Sequence, residues 1–139
     1  MNDRDDVTMR VLIAYEDSHR SYGQTMMGAI RGLRPTVEAA IVQVRELGAE
    51  VGSFDPHLVI CNRPNTVDPG GRVAWVRLSD EPEEPSEFCL AGRRWGSENP
   101  ELEEVLEIVD ETERLLREGR DLGGCLASTS LLTFILARI

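Results

Sequence analysis

Histidine and cysteine are scarce in this chain: two His (His19, His57) and three Cys (Cys61, Cys89, Cys125) in 139 residues. The cysteines are widely spaced and form no C-x-x-C pair, so a Cys/His metal centre has no framework. Separated thiols, two of them inside apolar runs, predict a reduced and cytoplasmic protein. There is no G-x-G-x-x-G, no P-loop and no G-x-S-x-G. Basic clusters are missing as well. A net charge of −10 argues against a nucleic-acid partner and against an anionic membrane surface. The first residues, MNDRDDVTMR, lack an apolar core, so no signal peptide is expected. The longest uncharged stretch, residues 122–137, falls short of the ~20 mostly apolar residues of a spanning helix. It reads instead as a segment that docks on the domain or on a second subunit, and no membrane partner is expected.

What is present is a sequence of short apolar runs separated by turn signals. Residues 54–64, FDPHLVICNRP, hold a run with no polar alternation, which predicts a strand buried on both faces. Residues 9–15 (MRVLIAY) and 36–44 (TVEAAIVQV) predict two further strands. Between them, Tyr22, Met26, Ala29, Ile30 and Leu33 recur at helical spacing, with Ser18 as the expected N-cap. Residues 45–53 predict a short helix, and 72–78 (RVAWVRL) a fourth strand with weak alternation. The acidic, proline-bearing loop at 80–87 is too short for a parallel crossover. A fifth strand at 88–92 should therefore pair antiparallel with the fourth. Asn99 and Pro100 open the last helix, whose apolar stripe is Leu102, Val105, Leu106, Val109 and Leu116, and Gly119 stops it. The order predicts an α/β three-layer sandwich with a mostly parallel five-stranded sheet, flavodoxin-like 2-1-3-4-5, and a β4–β5 hairpin at its edge. Residues 1–119 form that domain and 120–139 the apolar C-terminal segment.

A first strand ending in two acids, VLIAYED, followed by FDPHLVICN, resembles the receiver domain of two-component response regulators. The resemblance covers roughly residues 9–118. It implies that Glu16 and Asp17 match the acidic pair that helps hold Mg²⁺. Ser79 matches the hydroxyl residue after the fourth strand, and Arg93 falls near the position of the conserved Lys. Asn62 stands where the phosphoacceptor Asp should be. An amide cannot form the acyl phosphate, so the resemblance is to a pseudo-receiver without phosphotransfer. Two carboxylates leave room for weak Mg²⁺ binding.

Each candidate also has a plainer explanation. Asp17 and Ser18 could cap a helix, and Asn62 could pin a turn. Arg93, Arg94 and Trp95 could clamp an anion or pair with surface acids. His19 is a candidate pH-sensitive group, and His57 reads as structural. Cys61 within a buried strand should be inert. The expectation is a non-enzymatic regulatory or interaction module, homodimeric through the C-terminal segment. Its ligand-binding pocket comprises Glu16, Asp17, Asn62, Ser79 and Arg93. The alternative is a small metal-assisted hydrolase or transferase using Glu16 or Asp17.

Overall fold

The computed structural model describes residues 7–65, 72–79, 81 and 83–124. Its elements are β1 (Arg10–Tyr15), α1 (Arg20–Leu33), β2 (Glu38–Gln43), α2 (Leu47–Phe54), β3 (Leu58–Cys61), β4 (Ala74–Arg77), β5 (Ser86–Leu90), β6 (Arg93–Ser97) and α3 (Leu102–Arg117). Short 3-10 turns at Asp17–His19 and Val44–Glu46 lead into α1 and α2. The six strands form one mixed sheet in the order β2-β1-β3-β4-β5-β6. The first four are parallel, and the last two pair antiparallel.

Successive strand residues point to opposite faces, and two cores result. Val11, Ile13, Leu58, Ile60, Ala74 and Val76 pack in one cluster with Met26 and Ile30 of α1 and Val105, Val109 and Leu115 of α3. Leu12, Ala14, Val59, Cys61 and Trp75 join the other, with Leu47, Val51 and Phe54 of α2. Burial on both faces is why 58–61 reads as an unbroken apolar run: all four residues are buried.

The α/β class and the β4–β5 hairpin are as expected, but the sheet gains a sixth strand and is mixed. Residues 93–97, RRWGS, carry two arginines and a glycine, and their side chains are largely exposed. An edge strand buries little, so no apolar pattern marks it. What does specify it is the turn: Ala91 (φ 53°) and Gly92 (φ 79°) give the two positive-φ positions of a tight hairpin. Across it Phe88 stacks on Trp95, with ring centroids 5.6 Å apart.

Both expected caps are also revised. Ser18 lies inside the 3-10 turn and its hydroxyl meets His19 Nδ1 at 3.1 Å, so α1 has no side-chain cap. Asn99 is left-handed (φ 47°), and Glu101 occupies the N-cap position of α3. Tyr22 and Leu33, expected in the stripe of α1, are 55% and 52% exposed, whereas Gly23 is buried. A Cβ on Gly23 would stand 3.0 Å from Tyr15 Cβ and 3.2 Å from Ile41 Cδ1, so glycine lets α1 lie close on β1 and β2.

After α3 the chain returns to the sheet. Leu122 is buried in the first core, the Ala91 N–H donates to its carbonyl at 2.6 Å, and the Gly92 N–H donates to Gly123 O at 2.8 Å. The rest of the expected C-terminal segment, from residue 125, lies outside the described residues. Cys61 is a free thiol. No helix among the described residues is long and apolar enough to cross a membrane.

Candidate functional site

Because β1, β3 and β4 are parallel neighbours, the residues that follow them converge at one end of the sheet. Glu16 follows β1, Asn62 follows β3, and Ser79 lies just beyond β4. With Ile13, Ile60, Leu78 and, from α1, Tyr22, Gly23 and Met26, they line a cavity of about 210 Å³. The walls are mainly apolar and the polar groups sit toward the strand ends. Three of the five expected pocket residues are thus brought together.

Asn62 is the group the fold leaves unanswered. Its Oδ1 is buried and has no hydrogen-bond partner among the described residues. Such an orphan acceptor costs roughly 1–3 kcal/mol relative to a bonded one. The turn-pinning alternative for Asn62 would give that oxygen a backbone donor, and none of the described residues supplies one.

Glu16 is engaged. Its carboxylate accepts a hydrogen bond from Arg63 Nη2, forming an ion pair between the ends of β1 and β3. The pair is partly exposed and contributes about 0–1 kcal/mol, so its effect is positional. Arg63 is itself held by its backbone. The Trp75 indole N–H donates to Arg63 O at 2.8 Å, the Cys61 thiol donates to the same carbonyl at 3.3 Å, and the Arg63 N–H reaches Cys61 Sγ at 3.4 Å. Burial pushes the Cys61 thiol up to about 11. It therefore stays protonated at neutral pH and serves as a hydrogen-bonding strut, as expected of an inert cysteine.

Ser79 is held in its own turn. Its hydroxyl donates to Glu81 O at 3.0 Å and accepts from the Glu81 N–H at 3.1 Å, while its backbone N–H donates to Ser86 Oγ at 2.9 Å. Asp17 is exposed and borders a separate open cleft with Glu16, Gln43, Arg45 and Arg63. Glu16 and Asp17 therefore share this open cleft, and only Glu16 also lines the apolar cavity. Among the described residues no group of three or more His, Cys, Asp or Glu is arranged to hold a metal ion. A Mg²⁺ ion at this end would have to draw Glu16 away from Arg63.

Arg93 does not belong to the site. It pairs with Leu90 across the β5–β6 hairpin, at the opposite end of the sheet from the β1, β3 and β4 termini. Its guanidinium lies 5.6 Å from the Trp95 ring centroid, a cation–π contact. The receiver pattern carried over to Arg93 belongs to a parallel fifth strand, whereas the antiparallel fifth strand expected and found here delivers its C-terminal residues to the other end. One plain signal was present in composition: all 15 Lys+Arg residues are arginines, so the chain has no lysine for that role. Arg63 and Trp75 were the residues missed; the proximity of Arg63 to Asn62 in sequence was its only mark.

His19 lines the cavity rim, exposed, with Ser18 Oγ beside its Nδ1. His57 is far from it, ahead of β3. There the Arg10 N–H donates to His57 Nδ1 at 2.9 Å. Desolvation, then the Arg10 charge, lower this imidazole to about 4, with Asp55 opposing. His57 is structural.

Comparison with known proteins returns no match: no family model, no curated protein and no solved structure resembles this chain closely enough to be matched.

Proposed function

We propose that this chain is a non-enzymatic regulatory or interaction module, built on a three-layer, receiver-like fold that has no phosphotransfer chemistry. The observation that carries this reading is Asn62. It directly follows the central buried strand, at the position where a receiver holds its phosphoacceptor, and lines a cavity with an amide whose buried oxygen has no partner among the described residues. Two further features support it: the chain contains no lysine, and Arg63 occupies Glu16, the first acid of the pair. On this reading the cavity binds a small ligand. Any Mg²⁺ binding through Glu16 and Asp17 is weak because it competes with Arg63.

The self-association half of the proposal rests on the uncharged C-terminal segment, which would supply a homodimer interface. The reading keeps the chain in the cytoplasm, as its widely spaced cysteines suggest. The alternative, a metal-assisted hydrolase or transferase, gains no support from the site: Glu16 is ion-paired and Cys61 is a protonated, buried thiol.

The test is exposure of the full chain to acetyl phosphate and Mg²⁺, followed by intact-mass measurement. An unmodified chain is expected. A phosphoryl adduct would overturn the proposal.

A further inference from the structure

We propose that the cavity at the ends of β1, β3 and β4 takes an uncharged, single-ring molecule bearing one hydrogen-bond donor, which Asn62 recognises. This rests on the reading of Asn62 as a ligand-facing residue and names the class of ligand.

Size sets the first limit. An apolar cavity of ~150 Å³ accommodates benzene. At about 210 Å³ this one has room for a ring with small substituents, and it is too small for a nucleotide or a flavin. Charge sets the second. The carboxylate of Glu16, which lines the cavity, is committed to the Arg63 guanidinium. No arginine lines the cavity, in a chain whose net charge is −10. A cation would have to compete with Arg63 for Glu16.

Hydrogen bonding sets the third limit. The Ser79 hydroxyl is engaged on both sides with Glu81, and Tyr22 and His19 are exposed, so the buried polar group with an unanswered acceptor is the Asn62 amide. Its Oδ1 is buried in the free fold. Presenting it to a ligand requires rotation about χ2, a broad torsion with a low barrier. A donor on the ring would then satisfy the acceptor that the free fold leaves unpaired. The walls, Ile13, Met26, Ile60 and Leu78, would cover the ring.

The experiment compares phenol with toluene, which share shape and differ by one donor. Both are titrated into the full chain while its backbone amides and the Asn62 side-chain amide are followed by NMR. Phenol is expected to bind about tenfold more tightly than toluene, the effect of one hydrogen bond to a buried acceptor. It should also move the Asn62 side-chain signals. Asn62→Leu should bring the two affinities together while toluene still binds. Met26→Trp, which fills the cavity and keeps Asn62, should abolish both.

Equal affinities in the unmodified chain would overturn the proposed ligand class, as would binding of neither probe, which would leave a water molecule as the partner of Oδ1. Neither result bears on phosphotransfer, which the acetyl phosphate measurement decides separately.

Discussion

His57 shows how one side chain can be read from its partners. Its Nδ1 accepts the Arg10 N–H, so protonation at that nitrogen would lose a hydrogen bond and place a charge beside the Arg10 guanidinium. The folded-state value, about 4, lies below the ordinary 6.5. The unfolded chain therefore binds more protons between these limits, and stability must rise with pH across that window. The contribution is complete above pH ~6.5 and is lost as pH falls toward 4. For a half-buried imidazole it is on the order of 1–2 kcal/mol after solvent screening. Urea unfolding of the native chain and of His57→Gln at pH 7 and pH 4.5 checks this. The native chain should lose more stability on acidification than the variant; equal losses would contradict the assignment.

At the scale of the element, α1 is held to the sheet by a close approach and to α3 by charge. Arg34 forms a bidentate pair with Asp110, Nε to Oδ1 at 2.6 Å and Nη2 to Oδ2 at 2.8 Å. The close approach depends on Gly23, and Gly28 of the same helix provides the control, since a Cβ there meets nothing within 4 Å. Gly28→Ala should stabilise the protein by roughly 0.5–1 kcal/mol through helix propensity. Gly23→Ala should destabilise it despite the same propensity gain, because overpacking costs roughly 1–3 kcal/mol. Thermal melts of the two variants should move in opposite directions. A shift of the same sign in both would show that α1 does not need the close contact with Tyr15.

The elements that were legible in the sequence share one property: their packing face imposes a period. β1 and β3 are buried on both faces and read as apolar runs, and α3 carries a stripe that holds Val105, Leu106 and Val109 in the core. Where packing imposes nothing, the pattern is silent. β6 is an exposed edge, and Tyr22 and Leu33 sit on the outer side of a helix whose glycine faces inward. The same logic divides the site. Glu16, Asn62 and Ser79 were found because the ends of adjacent parallel strands must converge. Arg93 was misplaced because its role was carried over from the receiver pattern, in which the fifth strand is parallel, onto a strand expected to be antiparallel, and Arg63 was missed because a residue two beyond a strand reveals its partner only in three dimensions.

For the whole molecule, the described chain closes on itself through residues 121–124, which seat Leu122 in the core beside the β5–β6 turn. The proposed dimer interface must therefore begin beyond Gly124. Removing 125–139 leaves Leu122 in place and tests the interface without opening the core. Light scattering should show the mass falling from dimer to monomer, and an unchanged mass would remove self-association through this segment.

The central claim is that the strand-end pocket keeps the position of a receiver's phosphoryl site without its chemistry. It is tested most directly by an amide NMR titration of the full chain with Mg²⁺, then with Mg²⁺ plus beryllofluoride as a phosphoryl mimic. The account predicts at most small shifts at Glu16 and Asp17 with Mg²⁺, and no further change at Asn62 or Ser79 when beryllofluoride is added. Saturating shifts at Asn62 and Ser79 with beryllofluoride would contradict it, because they would mean that the pocket still captures a phosphoryl group.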